Sequence, residues 1–165
     1  MRKKIYWFVS YAHKNKMLAD RFLEEFKEQT APSRRYQYEF WRDQAILPGE
    51  DWHREIQAAL ERCHMGLLLI SPAFLASSYI RVHELPPFTR DDAKPVIPVM
   101  LKAVDLKLQG EATLERLQVF ALENPRFRKA KSYADCSSRH RDEFVRALFA
   151  QVEERLTRLT RPGRR

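Results

Sequence analysis

With 165 residues, 44% of them hydrophobic and 32% charged, the chain can bury one sizeable core, is too short for two ordinary domains, and is too apolar to be disordered. No apolar run approaches the ~18 residues of a membrane span, and MRKKIYWFVSY turns polar too soon for a signal peptide, so a cytoplasmic protein that avoids membranes is expected. The net charge of +8 invites a nucleic-acid reading, but residues 151–165 supply +3 of it (five arginines, two glutamates), and no recognition motif accompanies the dispersed remainder; nucleic-acid binding by this domain is not expected.

In chain order, residues 5–11 (IYWFVSY) have the β-branched and aromatic composition of a central strand. His13 to Asn15 read as a polar turn, and Leu18, Phe22, Leu23 and Phe26 then fall at helical spacing. Residues 36–41 (YQYEFW) alternate as a second strand. The following connection, RDQAILPGEDW, carries a turn signal at Pro48 and Gly49, and Asp51 can cap a helix whose apolar face is Trp52, Ile56, Ala59, Leu60 and Cys63. Met65 to Ile70 is almost wholly apolar, as a strand buried on both faces reads. Ser71 and Pro72 form a helix start, and the helix should run on until Pro86 and Pro87 bend or stop it, with Glu84 its one acid. A fourth strand is expected over residues 95–101, at an edge because of its two prolines. A short helix is expected around Leu114, Leu117 and Phe120, a fifth strand near residues 132–134, and a long closing helix over residues 142–159. Cys63 and Cys136 are too few for a disulfide scaffold or a zinc site and read as packing.

Strands alternating with helices imply a parallel sheet covered on both faces. Residues 1–160 are expected to form the domain, with 161–165 a basic tail or the start of a linker. The sequence has no glycine-rich phosphate loop, GxSxG, HExxH or CxxC, which counts against dinucleotide-fold hydride transfer, P-loop phosphotransfer and zinc hydrolysis. What remains is a set of polar residues at strand ends, Ser10, His13 and Asn15, then Arg42 and Asp43, then Ser71 and Glu84, which a parallel sheet brings to one side.

Three blocks, FVSYAHKN at 8–15, WRDQAILPGEDWHREIQAAL at 41–60 and LLLISPAFLASSYIRVHELPPF at 67–88, resemble the bacterial branch of the Toll/interleukin receptor (TIR) domain family. The resemblance implies a flavodoxin-like α/β fold with a central parallel sheet of about five strands. It further implies NAD cleavage at the nicotinamide–ribose bond, as in an antiphage or immune effector that works through self-association, with NAD a substrate and no cofactor required. Glu84 matches the catalytic glutamate. Many enzymatic relatives carry a tryptophan and a cysteine before that glutamate, whereas Tyr79 and Ile80 stand here with one extra residue of spacing.

One carboxylate suffices for this chemistry, because nicotinamide departs neutral from a cationic substrate and needs no acid, unlike a glycosidase leaving group. Of the aromatic residues Trp7, Tyr11, Trp41 and Tyr79, Tyr11 is favoured to hold the nicotinamide. Ser10, His13 and Arg42 are the polar partners expected for ribose and diphosphate, and Ser77 and Ser78 are expected to steady the glutamate from behind. Asp43, Ile46, Pro48, Gly49 and Trp52 belong to the loop that the resemblance makes the contact to other copies, with Trp52 and Trp41 expected to pin it. Expected partners are therefore NAD, further copies of the domain, and a fused or separate sensor. The alternatives are a non-catalytic adaptor acting through TIR–TIR contacts, and a flavodoxin-like binder of a small ligand.

Overall fold

The computed structural model describes residues 1–109 and 112–161. Four parallel strands form the sheet in the order β2-β1-β3-β4: β1 Lys3–Ser10, β2 Tyr36–Trp41, β3 Met65–Ile70 and β4 Val96–Met100. Helices α1 (Lys16–Thr30), α2 (Trp52–Arg62), α3 (Pro72–Ala76) and α4 (Pro86–Thr89) separate them; α5 (Leu106–Gln109), α6 (Ala112–Glu115) and the long α7 (Ser138–Thr160) follow. This is the parallel sheet with helices on both faces expected of the alternating pattern, and its strand order is the flavodoxin-like one that the resemblance implies. Ile5, Trp7 and Val9 of β1 point into one core with α1 and α7, while Phe8 points into a second core with α2, α3 and the segment around Leu85. That period of two puts Ser10 on the same face as Phe8. The predicted caps form, with Asp51 accepting from the Arg54 N–H at 3.0 Å and Ser71 from the Phe74 N–H at 3.0 Å.

The fifth strand does not form among the described residues. Phe120 makes a single parallel bridge to Val99, its N–H donating to the Pro98 carbonyl and its carbonyl accepting from the Met100 N–H, both at 2.8 Å. The next rung back would need an N–H from Pro98, which has none, so the ladder stops. Residues 133 and 134 instead donate to the Met100 and Leu101 carbonyls, each at 2.9 Å, so two segments share the edge position. The expected helix over Leu114 to Phe120 is accordingly only the single turn α6, and Phe120 is an edge residue. The proposed basic tail, beyond Arg161, lies outside the described residues.

The helix expected between Ser71 and Pro86 is broken in two. Ser77 leaves α3 in extended geometry (ψ 111°), and Ile80–Glu84 then winds as a π turn closed by the Leu85 N–H on the Ile80 carbonyl at 2.9 Å. Pro86 and Pro87 cannot donate to the carbonyls of residues 82 and 83, which removes the bonds an α-helix would need there. One residue more per turn than an α-helix is what π winding accommodates, and it matches the extra residue between Tyr79 and Glu84. Beyond the prolines, the Phe88 ring packs on Gly66 of β3 so closely that a Cβ there would lie 2.6 Å from Phe88 Cε1. The segment bearing Glu84 is thus anchored to the central strand.

Candidate active site

Glu84 is 8% exposed, and its Oε1 accepts a hydrogen bond of 2.8 Å from the Ser10 hydroxyl, itself fully buried at the end of β1. Burial pushes the Glu84 carboxyl up to about 7; the Ser10 bond and His13 oppose this, and Asp43 adds to it. Glu84 lies in the wall of a cleft of about 380 Å³, lined also by Tyr11, His13, Lys14, Trp52, Ser77 and Tyr79. The cleft sits where the carboxyl ends of β1 and β3 meet the loop after β2, the side of an open α/β sheet at which ligands bind.

Three residues tie that loop to the cleft. Asp43 opens a 3-10 turn directly after β2; its Oδ1 accepts from the Tyr11 hydroxyl at 2.9 Å, and its Oδ2 contacts His13 Nε2. Burial, and then the bond to Asp43, raise the Tyr11 phenol above its usual range. Trp52 and Tyr79 pack with ring centroids 4.5 Å apart, and the Tyr79 hydroxyl is 3.0 Å from His53 Nδ1. Trp52 is 42% exposed. The loop tip is a Pro48–Gly49 turn in which Gly49 has φ +89° and the Glu50 N–H reaches the Leu47 carbonyl at 3.1 Å. Leu47 is 65% exposed there, whereas Ile46 packs against the second core.

Residues 8–149 match the sequence profile of the family described as TIR domain. The chain belongs to the TIR domain family. It is also similar to an uncharacterised protein, y4lF, of Sinorhizobium fredii, with 35% identity over 101 residues, 59% of this chain and 30% of that relative. The chain therefore spans less than a third of the length of that protein.

Within this TIR domain, Ser10, Tyr11, His13, Tyr79 and Glu84 are brought together as sequence reasoning grouped them. Arg42 is not among the cleft-lining residues, and its guanidinium pairs with Asp20 of α1. Ser77 lines the cleft and its hydroxyl accepts from the Ile80 N–H at 3.3 Å, so it caps the turn carrying Glu84; Ser78 is exposed and does not line the cleft. Trp7 is fully buried on the opposite face, and Trp41 stacks on Phe8 with centroids 5.4 Å apart. Trp52, expected to pin the loop, also lines the cleft, as does Lys14. Lys14 carried no distinguishing signal beyond following His13 at a strand end. No helix is long and apolar enough to cross a membrane, and no cluster of three or more His, Cys, Asp or Glu side chains could hold a metal ion, among the described residues.

Proposed function

We propose that this TIR domain cleaves the nicotinamide–ribose bond of NAD, with Glu84 as its catalytic residue. The observation that carries the reading is a buried carboxyl, held by Ser10, in the wall of an aromatic-rimmed cleft. Trp52 and Tyr79 stand too close for a third ring to enter between them, so the nicotinamide stacks on the outer face of the pair. Its cationic ribosyl-nicotinamide then lies beside Glu84 and favours the ionised carboxyl. The C1′–N bond breaks with its electron pair going to the ring nitrogen, which leaves as neutral nicotinamide. The carboxylate stabilises the positive charge developing on the ribose. Water then adds at C1′, and its proton passes to Glu84, whose titration near neutrality suits a group that takes up a proton and returns it to solvent. Attack by an adenine nitrogen in place of water gives the cyclic product.

Leu47 and Trp52 present exposed apolar surface on the loop after β2, which supports assembly of several copies through residues 42–52 as the route to activity, in an immune or antiphage role. Nicotinamide release from NAD is measured for the wild type and Glu84→Gln across a range of protein concentrations. Release that is lost in the variant and rises more than linearly with concentration is expected. Release by the variant at the wild-type rate refutes the catalytic assignment, and strict proportionality down to nanomolar protein refutes the assembly requirement.

A further inference from the structure

Two basic side chains line the cleft, His13 and Lys14, and they are differently engaged. His13 Nε2 is held by Asp43, and Arg42, the other cation at the end of β2, is held by Asp20. Lys14 is exposed, and among the described residues no carboxylate lies within ion-pair distance of it. Lys16, two residues on, is answered by Asp20 at 3.1 Å. One basic residue without an ion-pair partner among the described residues therefore lines the same cleft as the buried Glu84.

A dinucleotide with its reacting C1′ beside Glu84 must pass its diphosphate out over the rim, because that group is joined to the 5′ carbon of the same ribose. A cleft of about 380 Å³ is at the small end of ligand sites and suits the nicotinamide riboside portion rather than the whole dinucleotide. We infer that Lys14 holds the substrate's diphosphate at the cleft rim and makes the site prefer the dinucleotide to the unphosphorylated riboside. The assignment rests on the NAD-cleavage reading above. An ammonium on a four-carbon stem, with three donors and no competing carboxylate, can follow a diphosphate without a fixed geometry. Its loss removes a hydrogen bond to a charged group, an effect of about tenfold or more in affinity.

The test compares kcat/KM for NAD and for nicotinamide riboside in the wild type, Lys14→Ala, Lys14→Arg and Lys14→Glu. Lys14→Ala is expected to lower kcat/KM for NAD about tenfold, through KM, relative to that for the riboside. Lys14→Glu is expected to lower it further and Lys14→Arg to restore it. A parallel fall for both substrates, or no change in their ratio, overturns the assignment. ADP-ribose is titrated separately into Glu84→Gln protein with and without Lys14→Ala, where about tenfold weaker binding is expected and equal affinity overturns it. A folded wild type that releases nicotinamide from neither substrate refutes the NAD reading alone, and the ADP-ribose titration still decides Lys14.

Discussion

Replacing Glu84 with glutamine should make the protein more stable at alkaline pH while abolishing its proposed activity. Burial raises the carboxyl from 4.5 to about 7, so the folded state holds a proton that the unfolded state releases near 4.5. The stability contributed by that protonated group is fully present below 4.5 and is lost as pH rises through 7. Above pH 7 the wild type bears the whole cost, which for 2.5 pH units is about 3 kcal/mol. Glutamine keeps an oxygen to accept the Ser10 hydrogen bond and carries no charge to desolvate. Glu84→Gln should therefore exceed the wild type by about 3 kcal/mol at pH 8 and by under ~1 kcal/mol at pH 5. For a chain of this length the gap in Tm should widen by roughly 5–10 °C between the two pH values. Thermal unfolding followed by circular dichroism at pH 5 and pH 8 measures it. A Tm difference that is the same at both pH values would mean that the carboxyl does not titrate differently in the folded state, and the reasoning from its burial would fail.

The same titration predicts the pH profile of NAD cleavage, with kcat/KM rising about tenfold per unit below pH 7 and levelling above it; a profile flat from pH 5 to 8 contradicts it. Gly66→Ala should destabilise the fold by about 1–3 kcal/mol, since the new methyl would meet the Phe88 ring; chemical denaturation reads this, and an unchanged midpoint would show that Phe88 gives way freely. Lys94 donates to the carbonyls of Leu60, Glu61 and Cys63 at 2.6, 2.6 and 2.8 Å, closing the carboxyl end of α2. Lys94→Met should cost about 1.5–3 kcal/mol in the same assay, and a loss below ~0.5 kcal/mol would show that water replaces the ammonium at little cost. Gly49→Ala places a side chain at φ +89° with open space around it. It should cost about 1 kcal/mol through backbone strain alone and weaken concentration-dependent activity through the loop tip; unaltered concentration dependence would separate this turn from assembly.

The sequence by itself determined the elements whose ends are set by neighbouring residues. Strands β2 and β3 and helix α2 stand where alternation, an unbroken apolar run and the Asp51 cap put them, because these signals act within a few residues of chain. Their alternation also carried the parallel sheet and the side on which polar residues would gather. Tertiary structure decided what lies between segments distant in sequence. Ser10 and Glu84 are 74 residues apart, and their bond requires both the adjacency of β1 and β3 and the π turn that the two prolines leave between Ile80 and Leu85. Arg42 was a candidate for the substrate until α1 brought Asp20 to it, whereas Lys14, an ordinary charge in a turn, gained its place from the cleft that forms beside it. The fifth strand expected near residues 132–134 failed because the edge beside β4 is divided: Phe120 takes the Pro98 and Met100 backbone groups, its ladder stopping where Pro98 has no N–H, and residues 133 and 134 reach only the Met100 and Leu101 carbonyls. Local rules fix where the chain turns and which face is apolar. Which charges are answered, and which carboxyl loses its water, follows from the packing of elements the sequence does not pair.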